Sequence, residues 1–132
     1  MPPSDAANPL KVVLVIYAIV ALVYGLGLFF VPGTLVTMAD AQPVDFGWLR
    51  WPGGMLIALG IGALLVLRSP AKQGLFVMTI ASGNLLSGLA LLYSWLVQEY
   101  SGATWFIATP TVIVLVVSAL LWWARYHARE IL

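Results

Sequence analysis

Apolar residues in this chain do not alternate with polar ones at the period of a half-buried strand. Instead they run on in four blocks of about 20 residues each, separated by short polar stretches. Crossing ~30 Å of hydrocarbon takes about 20 helical residues. The blocks therefore predict transmembrane helices over Leu10 to Val31, Trp48 to Leu67, Gln73 to Val97 and Thr104 to Ala124. No part of the chain shows the repeated apolar/polar alternation of membrane-barrel strands. The expected fold class is all-α, an integral membrane four-transmembrane-helix bundle forming a single membrane domain.

Punctuation between the blocks fits this reading. Pro32-Gly33 stops the first span, because proline cannot continue a helix and glycine tolerates a turn. Arg68, Ser69 and Pro70 end the second. The proline-bearing MPPSDAANP segment reads as a loose tail. Ala39-Asp40-Ala41 has the small-x-small form of a signal-peptidase site, but the preceding span is longer than a signal core and the site lies well past its end. An uncleaved signal anchor is the expectation.

The cations give an orientation. Lys11, Arg68, Lys72, Arg125 and Arg129, five of the six, fall in the tails and the loop between spans two and three. Arg50 alone shares the other side, with Asp40, Asp45 and Glu99. Positive-inside bias then puts both termini in the cytoplasm. All six tryptophans (Trp48, Trp51, Trp95, Trp105, Trp122 and Trp123) lie near span ends, where an indole finds both apolar contact and a partner for its N–H.

Composition narrows the function. Hydrophobic residues make up 62% and charged residues 8%, too little polarity to cover a water-facing surface. A net charge of +1 supplies no basic field for nucleic acid, which is excluded as a partner. With no cysteine and one histidine, His127, in the tail, the chain offers no metal site built on several such ligands and no paired axial ligands for haem. No ionisable residue lies near a span centre, so no catalytic residue is assigned and the chain is not expected to be an enzyme. No intrinsic cofactor is expected either; a bound lipid, quinone or pigment is compatible with what remains.

The polar groups inside the spans are the candidate chemistry. Thr79, Gly83, Ser87 and Asn84 of the third span fall within about 140° on a helical wheel. Asn84 sits near the span centre, where an unsatisfied amide is costly, so this face should meet protein or a ligand rather than acyl chains. It serves either as hydrogen-bonding glue between helices or as an orienting spot for a polar headgroup. Gly54, Ala58 and Gly62 in the second span, and Ala21 and Gly25 in the first, recur every four residues as close-packing stripes. At the outer interface Trp48, Arg50 and Trp51 form an anchor, with Arg50 snorkelling, pairing with a loop carboxylate or holding an anionic headgroup. The second helix proper is expected to begin near Pro52, and the loop segment TLVTMADAQ to lie on the outer surface. Pro110 should kink the fourth span, with Thr109 and Thr111 available for the freed carbonyls.

The segment LRWPGGMLIALGIG, following a span that ends in proline, resembles the small bacterial four-helix membrane proteins related to the DoxX-like group. Arg50, Gly53, Gly54, Gly60 and Gly62 carry the resemblance, which would extend over nearly the whole chain. It implies a bacterial cytoplasmic membrane. Some relatives are associated with thiosulfate–quinone oxidoreduction or described as accessory subunits, which implies an auxiliary role. Two functions follow as expectations. The first is a structural or accessory subunit packing against other membrane subunits or its own copies, with membrane lipids around it; the second is a binding module or carrier for an apolar molecule held in the bundle.

Overall fold

The computed structural model describes the backbone from residue 3 to residue 132 and side chains from residue 7 onward. It contains five helices: α1 (Pro3–Phe30), α2 (Pro32–Ala39), α3 (Gly47–Val66), α4 (Gly74–Leu96) and α5 (Thr104–His127). No strand occurs among the described residues. The four helices other than α2 are long and apolar enough to cross a membrane, as fits an integral membrane protein.

Three boundaries differ from the sequence reading. The segment expected as a loose tail is helical from Pro3, while Met1 and Pro2 lie outside the described residues. Packing overrides the prolines here: Ala7 and Leu10 are buried, and they hold the first turns of α1 against the rest of the protein. Helix α3 begins at Gly47, so Pro52 lies inside it rather than opening it. The amides of Leu49 and Arg50 both bond to the Phe46 carbonyl and start the helix before the proline is reached. The segment expected on the outer surface is the helix α2. It packs back on α1, with Leu35 against Gly27.

Helices α1 and α3 form one close pair, α4 and α5 another, and α1 against α5 joins them. The α1–α3 crossing is tight because it is built on glycine: a Cβ on Gly25 would stand 2.9 Å from the Gly53 carbonyl oxygen, and one on Gly53 would stand 2.8 Å from the Phe29 amide nitrogen. Backbone atoms cannot rotate away, so only glycine permits this approach.

The buried apolar core occupies one half of the bundle. Leu10, Leu14 and Ala18 of α1 meet Ala63 and Val66 of α3, Val77 and Ile80 of α4, and Leu121 and Ala124 of α5. These residues lie at the end where α1 starts and α5 finishes, hereafter the terminal end. The Lys72 amide bonds to the Ile131 carbonyl (2.8 Å) and closes this end. The other half, toward α2 and the connections 40–46 and 97–103 (the loop end), is hollow.

Candidate functional site: a cavity in the loop half of the bundle

Each long helix presents one stripe to this hollow. On α1, Tyr17, Ala21, Tyr24 and Leu28 recur at i, i+4, i+7 and i+11, one helical face. On α5 the stripe is Phe106, Pro110 and Val114, and on α4 it is Asn84, Ser87 and Leu91. Helix α3 adds Leu49 and Leu56, and α2 lays Leu35, Val36 and Ala39 over the loop end as a roof. Together they enclose a cavity of about 560 Å³, within the range of small-molecule sites. Its walls are mostly apolar. The missing closure is between α3 and α4, which make almost no close backbone approach. Near the terminal end Phe76 of α4 lies over Gly62 of α3, at 3.0 Å from where a Cβ would stand, and seals the seam there. Toward the loop end the seam stays open beside Ser87.

Two local turns fix the roof and rim. Helix α2 ends with Asp40 in the left-handed region (φ 52°), the Asp40 amide bonding to the Thr37 carbonyl and that of Ala41 to Val36. This double closure is a Schellman motif with an aspartate in place of glycine. Helix α4 ends the same way at Gln98 (φ 61°), whose amide reaches Trp95 while that of Glu99 reaches Ser94 (2.9 Å). The Glu99 carboxylate is thereby held at the cavity rim, where it also accepts a bond from the Ser94 hydroxyl (3.3 Å). Connections 40–46 and 97–103 are stitched together by the Ala103 amide to the Ala39 carbonyl (2.6 Å) and by the Gln42 amide to the Ser101 hydroxyl (3.0 Å). Gly102 allows this approach, since a Cβ there would stand 2.6 Å from the Ala39 oxygen. The Tyr100 hydroxyl oxygen is buried against the cavity without a hydrogen-bond partner. Burial raises its pKa above the usual phenol value, so it remains a neutral O–H.

The sequence-derived candidates separate. Asn84 and Ser87 line the cavity, and neither takes part in a side-chain hydrogen bond among the described residues. Thr79 lies outside it and bonds to the carbonyl of Leu75 in its own helix (2.8 Å), and Gly83 faces open space. The polar bond that does join α4 to α5 comes from the buried Ser118, whose hydroxyl donates to the Ala81 carbonyl (3.1 Å). Of the small-residue stripes, Ala21 lines the cavity and Gly25 makes the α1–α3 crossing. On α3 the closest approach falls on Gly53 and on Gly60, which meets Leu22, whereas Gly54 faces the Phe29 ring and Ala58 is exposed. Trp48 and Trp51 are exposed, and the Arg50 guanidinium donates to the Phe29 carbonyl (2.9 Å) at the end of α1. Helix α5 runs uninterrupted through Pro110. The hydroxyls of Thr109 and Thr111 bond to Trp105 and Ile107, four residues back (both 2.7 Å), and so flank the Phe106 carbonyl that Pro110 leaves without an N–H. His127 is exposed, its ring edge-on to Trp123.

Tyr17, Tyr24, Gln42, Glu99, Tyr100 and Ser101 are cavity residues that hydropathy does not single out. The seven-residue spacing of Tyr17 and Tyr24 is the one sequence signal that places two of them on a common face.

No protein-family profile, curated protein or solved structure matches the chain.

Proposed function

We propose that this chain is a non-catalytic membrane binding module, a holder or carrier for an apolar small molecule with a hydrogen-bonding group, of the general character of a quinone, lipid or pigment. The observation that carries the reading is the cavity of about 560 Å³, in which Asn84 and Ser87 keep their hydrogen-bonding capacity for something other than protein. An amide committed to gluing helices would spend its donors on a neighbouring helix; this one faces an open space. The gap between α3 and α4 gives a ligand dissolved in the bilayer a lateral way in. In this reading the helices span a bacterial cytoplasmic membrane with both termini on the cytoplasmic side, where the five cations gather.

The accessory-subunit reading draws on the apolar outer faces, such as Leu75 (81% exposed) and Leu86 (67%) on α4. Those faces suit acyl chains equally well, so the cavity decides in favour of the binding module. The test is gentle extraction from the native membrane followed by native mass spectrometry. A defined small molecule should leave with the wild-type chain, and Asn84→Leu should reduce its retention about tenfold, as for a lost hydrogen bond in an apolar site, at unchanged melting temperature. Equal retention by the variant sinks the proposal.

A further inference from the structure

Resting on that reading, the geometry points to a ligand with a cationic end, an ammonium group seated at Glu99, joined through an apolar chain to a neutral hydrogen-bonding group at Asn84. We infer the charge from the wall of the cavity. Glu99 is its one charged residue, and no lysine, arginine or histidine lines it. The arginine on that side of the bundle, Arg50, is committed to the Phe29 carbonyl and stands off the wall, so the carboxylate has only the Ser94 hydroxyl as a partner among the described residues. Around it lie groups that favour a cation or an N–H donor. The Tyr100 hydroxyl oxygen is buried and unpartnered, and the rings of Tyr24 and Phe106 present π faces. An anionic headgroup would meet Glu99 with no compensating charge.

The two polar ends of the cavity are well separated. From Asn84 to the end of α4 at Leu96 the helix rises roughly 18 Å. Between them the wall is apolar, with Val20, Leu56, Leu91 and Val114. A molecule matching this wall has an aliphatic or aromatic middle, an ammonium end toward the connections and a hydroxyl or carbonyl toward the centre of the bundle.

The experiment uses three probes with one chain and one far hydroxyl: 12-aminododecan-1-ol, 1,12-dodecanediol and 12-hydroxydodecanoate. Each is titrated against the full chain in a nonionic detergent and read by native mass spectrometry. The ammonium probe should bind about fivefold more tightly than the diol, the gain expected from a partly exposed ion pair, and the carboxylate probe most weakly. Glu99→Gln, at an exposed position, should bring the ammonium probe down to the diol and leave diol binding unchanged. Equal binding of ammonium and diol by the wild type, or a preference that survives Glu99→Gln, overturns the cationic ligand while leaving the cavity reading in place. If the wild type holds none of the three, both fall.

Discussion

Arg50 shows what one side chain does where a helix must stop. The last carbonyls of a helix lack partners within it, and Pro32 removes an N–H that would have served the end of α1. The guanidinium of Arg50, brought alongside by the α1–α3 pair, donates to the Phe29 carbonyl and sets a positive charge at the negative end of the α1 dipole. Since Arg50 is exposed, the contact contributes about 1 kcal/mol. Arg50→Ala should lower the melting temperature in detergent by a few degrees without changing ligand retention, since the guanidinium lies off the cavity wall. A loss of retention at an unchanged melting temperature would instead place Arg50 in the site. The sequence shows that this residue stands at an interface between two tryptophans; it does not show that its partner is a backbone oxygen 21 positions earlier.

Among the elements, the α1–α3 pair depends most on a single residue type. Gly53→Val puts branched carbons where the Phe29 amide and the Gly25 carbonyl already stand, and the helices must move apart. Overpacking of this kind costs about 1–3 kcal/mol, and because α3 is one wall of the cavity, the variant should lose both thermal stability and bound ligand. Gly54→Ala, one position on, meets only the Phe29 ring at 3.6 Å and should retain both. The contrast is read by melting curves and native mass spectrometry on the pair of variants. Small residues at four-residue spacing are visible in the sequence, but Gly53 and Gly54 are adjacent. Which of them turns to α1 depends on the rotation of α3, and that is set by its partner. The same holds for α2: its eight residues are legible as a mildly amphipathic segment, and contact with α1 turns them from a surface element into a roof.

At the scale of the whole molecule, the bundle is filled at one end and hollow at the other. Packing at the terminal end holds the four long helices in place, while the loop end is tied by two backbone-level stitches that leave room beneath. The charges divide the same way, with Arg68, Lys72, Arg125 and Arg129 at the filled end and Asp40, Asp45 and Glu99 at the hollow one. A chain with no native cysteine makes the proposed orientation simple to test, because any introduced thiol is the only one. Asp45→Cys should react with a membrane-impermeant maleimide on the periplasmic face of intact cells, and Ser69→Cys only after permeabilisation of the inner membrane. The reverse pattern would invert the assignment and turn the cavity toward the cytoplasmic leaflet.

Sequence alone determined the four apolar helices, the charge difference between their ends and the presence of an amide at mid-span. These follow from transfer of individual residues between water and lipid, a quantity that adds along the chain and needs no knowledge of neighbours. Tertiary structure alone decided that Asn84 and Ser87 face a cavity while Thr79 bonds within its own helix, that α3 and α4 stay apart, and that Glu99 is the one charge on the wall. In a bilayer, lipid and protein are equally apolar, so hydropathy does not say which face of a helix meets which. That is settled by steric fit, here by where glycine lets two backbones touch and where larger side chains hold the helices apart.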